Sequence, residues 1–415
     1  MKILLVTERY WPEVGAAPSR LANMAEGLKA QGCEVDVLTC LPNFPKGRIF
    51  AGYRGCLSKQ EEHSGILLFR YWVFATVSSN PLHRILNMFS FAFVLWAFAF
   101  KCRRIKGYDC VIIQTPTLVA AASAMVLFKK LYNKKIVVNV SDLWPSTAVD
   151  MGAMHADSRS YRFLAFLEKY LYRNPDGILG QSEEILNHIE WKLKNKKGST
   201  PDHVLNTDLW RENERLFLYR NLQFYETAIT KKRNVKMRFV FCGMLGVAQN
   251  VAGIVKNIPW RELGVEFHIL GGGKQLDEIK EYIAEYPDCG VFAHGFVAKT
   301  EVADRLKEMD ASIVPLVTRI RGAVPSKIFD LLPQGVPILF CGEGEGARFI
   351  EKHQVGYTSK PGDYAGLTEN IKRIKGLLDH EYEEMSARCL QVSRDELDFN
   401  DQMKACRKWL SSVLS

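Results

Sequence analysis

Metal-binding patterns are the first thing this sequence lacks. Its ten cysteines contain no CxxC pair, its histidines form no HxH or HxxxH pair, and no DxD triplet occurs. Zinc sites and disulfide scaffolds are thereby without their usual spacing. No G-x-S-x-G elbow, P-loop, fixed-period repeat or low-complexity tract is present, so hydrolase, P-loop and solenoid readings have no motif to rest on. The known signatures of RNA- or DNA-binding modules are missing as well. The charge excess, 55 basic against 46 acidic residues, is a diffuse +9. It suits anionic substrates or an anionic membrane surface better than nucleic acid. The opening "MKILLVTERYW" lacks the long apolar run of a signal peptide. Cys40, Cys110, Cys242 and Cys341 end or interrupt apolar runs, where a reduced thiol acts as a small hydrophobe. The expectation is a reducing, cytoplasmic setting.

What is present is alternation. "KILLVT", "EVDVLTC", "DCVIIQ", "KIVVNV" and "DGILGQS" read as strands separated by helical patterns. After a polar stretch around Thr207 to Val235 the series restarts with "KMRFVFCG", "GVEFHILGGG", "GVFAHGF", "DASIVPLV" and "GVPILFCG". Such alternation predicts an α/β protein of two Rossmann-like, doubly wound parallel-sheet domains facing a cleft. The expected boundaries are 1–206, 207–397 and a C-terminal helix, 398–415, crossing back to the first domain. Ligands in such sheets bind at the carboxyl ends of strands.

One segment departs from this pattern. Ile85 to Phe100, "ILNMFSFAFVLWAFAF", is apolar and is flanked by Arg84 and "KCRRIK". As a helix it would span about 24 Å, short of the roughly 20 residues needed to cross a bilayer. A helix over 84–106 dipping into one leaflet is expected, with Phe91, Phe93, Trp96 and Phe98 in lipid and Arg103 and Arg104 on headgroups. The competing reading is a core helix buried on all sides.

Near the end, "VPSKIFDLLPQGVPI" predicts a helix capped by Ser326 and stopped by Pro333. Lys327 then stands at a positive helix end, a placement that costs about 0.3–1 kcal/mol unless an anion binds there. Arg20, after the Gly15-Ala16-Ala17 loop and a helix expected to be capped by Ser19, repeats the oddity. Both suggest phosphate, and a solvated cation is the alternative. Asp330 shares a helix face with Lys327, and the two suit a pyrophosphate and a ribose. Asp142 falls just past a strand, where it could orient a sugar hydroxyl or merely cap a turn. Gly243, Gly246 and Gly271 to Gly273 lie between strands and helices, a weak phosphate-loop signal. "GEGEGA" fits the dinucleotide pattern formally. Glu343 and Glu345 would repel a pyrophosphate, so the loop is read as offering Glu345 and backbone amides to hydroxyls.

In this order and spacing, "YWPEVGAAPSR", "LPNFPKG", "SDLWPSTAV", "GMLGVAQN", "VPSKIFDLLPQGVPI" and "GEGEGARFIEKHQVGY" resemble glycosyltransferase family 4, retaining enzymes of the GT-B fold. The likeness is closest to the subgroup with L-fucosamine and colanic-acid-type transferases of bacterial surface polysaccharide. It implies a donor site in the second domain, with Gly243, Gly246, Gln249, Gly272, Arg321, Ser326, Asp330 and Glu345 near a UDP- or GDP-sugar, and with Gly15 and Ala16 of the first domain also on the donor. Asp142 and Lys327 would be the catalytic groups and Arg20 an acceptor or phosphate contact. No cofactor or metal is implied. The acceptor would be a polyprenyl-diphosphate-linked saccharide at the inner face of the cell membrane, in capsule, O-antigen or exopolysaccharide assembly. The family's paired acids are represented by Gly322 and Asp330, and Met244 and Gln249 stand where many relatives have Arg and Lys. Positive charge is then expected from Lys327, Arg319 or Arg321. A nucleotide-sugar epimerase of the same fold and a non-catalytic scaffold are the alternative functions.

Overall fold

The structure is a computed structural model that describes residues 1–415 apart from 79, 195–199, 227 and 298. The chain folds as two compact units, Met1–Gln223 with Phe399–Ser415, and Phe224–Asp398.

The first unit holds an eight-stranded sheet. Its strands are β1 (Lys2–Val6), β2 (Glu34–Cys40), β3 (Ser58–His63), β4 (Ile66–Tyr71), β5 (Cys110–Gln114), β6 (Lys135–Val140), β7 (Gly177–Gly180) and β8 (Leu216–Leu218), in the order β3-β4-β2-β1-β5-β6-β7-β8. All pairs are parallel except the β3–β4 hairpin. Side chains alternate along a strand, and here both faces are covered. Ile3 and Leu5 of β1 join a cluster with Met403, Cys406 and Leu410, whereas Leu4 and Val6 join Phe98 and Phe128. That is why these strands read as continuous apolar runs.

The C-terminal helix, Phe399–Leu414, thus forms part of the first unit's core. Gln402 exchanges two hydrogen bonds with the Arg220 backbone, at 2.9 and 3.0 Å. A Cβ on Gly27 would lie 2.7 Å from Met403 Cγ, so only glycine lets the helices Ala16–Ala30 and Phe399–Leu414 approach so closely. Residues 207–223 also belong here, which moves the boundary from the expected 206 to 223. The cause is β8, which extends the sheet by pairing with β7.

The second unit has six parallel strands: β9 (Arg238–Cys242), β10 (Glu266–Leu270), β11 (Val291–Gly295), β12 (Ala311–Pro315), β13 (Ile338–Cys341) and β14 (Gly356–Ser359), ordered β11-β10-β9-β12-β13-β14. Phe239, Phe267 and Trp260 centre one cluster, with Trp260 stacked on Phe267 at 4.5 Å.

The apolar segment becomes a helix, Pro81–Lys101, with Asn80 accepting a hydrogen bond from Leu82 N at 2.9 Å. Three of its four expected membrane aromatics are placed otherwise. Phe91 and Phe98 are in the core, and Trp96 packs against that core while its indole donates to Ser123 Oγ. Phe93 is outward, with Leu82, Phe89 and Phe100, along one stripe. The helix is apolar on both faces because one covers β-sheet core and the other is bare. Arg104 is exposed; the Arg103 side chain lies outside the described residues. Among the described residues, no helix is long and apolar enough to cross a membrane.

Candidate functional site

In each sheet the strand order reverses beside the first strand of the unit, the position where open α/β sheets take ligands. In the second unit the reversal lies between β9 and β12. Gly243 follows β9, and the short helix Lys327–Leu331 follows β12.

Lys327 is folded inward at this point. Its Nζ lies 4.6 Å from the centroid of the Phe241 ring. A Cβ on Gly243 would sit 2.5 Å from that Nζ, so the glycine is the cradle that admits the lysine. Among the described residues Nζ makes no hydrogen bond or ion pair. Burial holds its pKa below the ordinary lysine range, with the Cys242 thiol and the Asp330 carboxylate pulling the other way. Asp330 is engaged by the Tyr225 hydroxyl.

Two expectations about this helix change. Ser326 precedes it without capping it, and Pro333 continues the chain into a 3-10 turn, Leu332–Gln334, that ends at left-handed Gly335. At five residues the helix has little dipole to offer. The lysine's position is set by Gly243 and Phe241 instead.

The glycine loops pack on each other. Leu245 N donates to Gly272 O at 2.9 Å. A Cβ on Gly271 would fall 1.8 Å from Gly243 O, so that glycine serves backbone packing before any ligand. Gly246 accepts from the Gln249 and Asn250 amides, and Gln249 is half-buried beside it. Arg321 is half-buried in the loop after β12. Glu345, expected in a loop, is buried at the first position of the Glu345–His353 helix, where an acid complements the dipole.

In the first unit the reversal lies between β1 and β5. Gly15 is the N-cap of the Ala16–Ala30 helix, and a Cβ there would lie 3.3 Å from the Phe44 ring. Ser19 is therefore inside the helix and caps nothing, and Arg20 lies beyond the first turn. Arg20 is 7% exposed, its Nε has no partner among the described residues, and it faces Asp142 and Tyr219. Burial brings its pKa down to about 10, against the pull of Asp142. Asn139 donates to Gln114 at 2.7 Å and Gln114 to Ser141 at 3.0 Å, and the one Ser141 hydroxyl proton has two acceptors in reach, the Thr115 carbonyl at 3.0 Å and the Asp142 carboxylate at 3.2 Å. The Glu13 carboxylate accepts from the Asn43 and Phe44 amides, each at 2.8 Å, which fixes the Asn43-Phe44-Pro45 turn.

The comparisons divide along the same lines. A family described as "Glycosyl transferase 4-like domain" matches residues 15–197, and one described as "Glycosyl transferases group 1" matches residues 236–375. The chain belongs to the glycosyltransferases. WbjE of Pseudomonas aeruginosa, named for glycosyltransferase activity, is 25% identical over 58% of this chain and 60% of its own length. WcaI of Escherichia coli, named for colanic acid biosynthesis, is 26% identical over 51% of each chain. The matches thus span little more than half of these relatives.

Similar solved structures give this glycosyltransferase the GT-B fold. Sucrose-phosphate synthase of Thermosynechococcus elongatus is 12% identical with a TM-score of 0.69, covering 99% of this chain and 98% of its own. Anabaena HepE, solved with UDP, is 13% identical with a TM-score of 0.65, covering 99% and 100%.

Of the expected site residues, the fold of this glycosyltransferase gathers the donor candidates Gly243 and Asp330 and the catalytic candidate Lys327 at the second sheet's reversal. Arg20 and Asp142, read from the sequence as separate candidates, face one another in the first unit. Glu8 was missed. It lies just past β1 with its carboxyl buried, Oε1 without a partner and the Thr117 hydroxyl against it. An isolated acid after a strand gives no pattern to search for. Among the described residues, no group of three or more His, Cys, Asp or Glu could hold a metal ion.

Proposed function

We propose that this glycosyltransferase moves a sugar, of the 6-deoxy or N-acetylamino type, from a UDP- or GDP-sugar to a polyprenyl-diphosphate-linked saccharide during assembly of a bacterial surface polysaccharide. The observation that carries the reading is the inward, unpaired Lys327 beneath Gly243 at the second sheet's reversal. The Asp330 carboxylate offsets part of the Lys327 charge without a direct ion pair among the described residues, and a nucleotide diphosphate would supply an anion in contact with it. Asp330 would take the ribose hydroxyls. The likenesses to WbjE and WcaI favour a polysaccharide role.

Transfer breaks the bond between the sugar C1 and the diphosphate oxygen. The nucleotide leaves with the electron pair, and Lys327 stabilises that charge. Retention of configuration and metal independence belong to the same proposal, with the leaving phosphate taking the acceptor's proton. Truncating such a charge-stabilising group costs about 10²–10³ in rate. Asp142, oriented by Ser141 and opposed by Arg20, would hold the acceptor sugar.

The bare stripe of Leu82, Phe89, Phe93 and Phe100 would rest on the inner face of the cell membrane, with Arg104 at its rim. Phe163 and Phe166, 52% and 66% exposed, could add to that contact.

Calorimetric titration with UDP and GDP tests the reading. One nucleotide is expected to bind the wild type and to bind Lys327→Ala at least about tenfold more weakly, as for loss of a charge-assisted contact. A folded wild-type protein that binds neither would sink it.

A further inference from the structure

We propose that Glu8 and Thr117 form a subsite for a hydroxyl group of the acceptor saccharide, at the strand-order reversal of the first sheet. The proposal rests on the transferase reading above and names a specific contact in its acceptor site.

The placement is the first argument. β1 has β2 on one side and β5 on the other. Glu8 follows β1, and Thr117 follows β5, so the two residues flank the reversal where ligands of such sheets collect. Thr117 supplies the second argument. It occupies the N-cap of the Leu118–Met125 helix, where a threonine hydroxyl ordinarily caps, yet its side chain makes no capping bond. The hydroxyl is turned to Glu8 instead.

The carboxyl itself is incompletely served. Glu8 Oε1 is buried and has no hydrogen-bond partner among the described residues. Its neighbours leave it so. Arg9 lies 4.3 Å over the Phe44 ring and 3.9 Å from Glu13. Glu13 is taken by two backbone amides. The Cys40 thiol of β2 faces Glu8 with its pKa raised by burial. Arg70 of β4 is committed to Glu61 and the Trp11 carbonyl. The unpartnered carboxyl oxygen can accept from a sugar hydroxyl, and the Thr117 oxygen, its one proton given to Glu8, keeps lone pairs that can accept as well. An anion would be repelled once the carboxyl ionises.

Burial raises the Glu8 pKa to about 7, against Arg9 and the Thr117 hydrogen bond. Near neutral pH the carboxyl therefore changes state. A carboxylate accepts a hydroxyl hydrogen bond more strongly than a neutral acid, so acceptor affinity should rise as pH passes upward through 7.

The test uses saturation-transfer NMR with the methyl glycosides of glucose, galactose, mannose, N-acetylglucosamine, fucose and rhamnose, with UDP or GDP present, at pH 6 and pH 8. At least one glycoside should bind the wild type, more tightly at pH 8, and lose about tenfold in affinity in Glu8→Gln. The pH dependence should vanish in that variant, and Thr117→Val should weaken binding at both pH values. Nucleotide affinity should be unchanged in both. Glycosides that bind Glu8→Gln and Thr117→Val like the wild type overturn the subsite, as does nucleotide binding with no glycoside binding. Failure of UDP and GDP to bind the wild type overturns the transferase reading instead.

Discussion

A Cβ added to Gly243 would stand 2.5 Å from Lys327 Nζ, so the glycine and the lysine occupy one space between them. Gly243 also has φ of +142°, which a side chain rarely adopts. Gly243→Ala should therefore displace the lysine and reproduce the Lys327→Ala defect, a loss of about 10²–10³ in transfer rate. Single-turnover transfer of radiolabelled sugar would measure it. An active Gly243→Ala enzyme would mean that the lysine works from elsewhere.

Lys327 also sets a pH dependence. Its pKa is lowered by burial, so the unfolded chain holds the proton at pH values where the native protein has released it. Stability then rises with pH between the native and unfolded lysine pKa values, and the penalty is fully present below both. Lys327→Met should raise the melting temperature at pH 7, and the gain should shrink as pH approaches the ordinary lysine range. The same variant should lose nucleotide binding. Thermal melts from pH 7 to 10.5 check both halves: a site that is stabilising when empty would give the opposite sign.

Cys242 reports on this site. It is half-buried beside Lys327 and Asp330, with its pKa raised by burial. Alkylation should be slow and slower still with bound nucleotide, by about tenfold at saturating ligand. Mass spectrometry of the labelled peptide separates it from half-buried Cys56, Cys102 and Cys289. Equal labelling with and without nucleotide would place the ligand away from β9.

The sheets were legible because each central strand is buried on both faces, leaving unbroken apolar runs such as "CVIIQ" and "KIVVNV". Motif spacing marked Lys327 and Asp330 for the same reason it marks any strand-end loop. Caps were harder to read. Ser19 and Ser326 carry the right side chain, but Gly15 and the Pro325–Ser326 turn decide where the chain enters the helix. The outward face of the Pro81–Lys101 helix was hidden because both of its faces are apolar, and only packing distinguishes Phe98 from Phe93. Glu8 was invisible because its importance comes from Thr117, more than a hundred residues away in sequence.

A second pH effect belongs to Glu8. Its native pKa, about 7, is above the ordinary glutamate value of 4.5. The unfolded state thus releases its proton first, and stability falls as pH rises from about 4.5 to 7. Glu8→Gln removes this loss and should be more stable than wild type at pH 8 by up to about 3 kcal/mol. Below pH 4.5 the two should converge. Urea unfolding at pH 4.5, 6 and 8 would settle it. A constant difference across that range would mean that Glu8 keeps an ordinary pKa.

The two faces of the Pro81–Lys101 helix give the last contrast. Phe93 and Phe100 are 75% and 80% exposed, whereas Phe98 is fully buried. Phe98→Ala should destabilise by about 3–5 kcal/mol whatever the helix touches outside. Phe93→Asp with Phe100→Asp should leave the melting temperature within a degree or two, since exposed substitutions shift stability by only about 0.5 kcal/mol. The double variant should instead lose sedimentation with vesicles of phosphatidylethanolamine and phosphatidylglycerol. Binding of the wild type should weaken with salt, because the basic rim acts through screened attraction to anionic lipid. If the double variant still sediments with the vesicles, the bare stripe is not the membrane contact. If it unfolds, the stripe is covered by protein in the native state, and Phe93 is as much a core residue as Phe98.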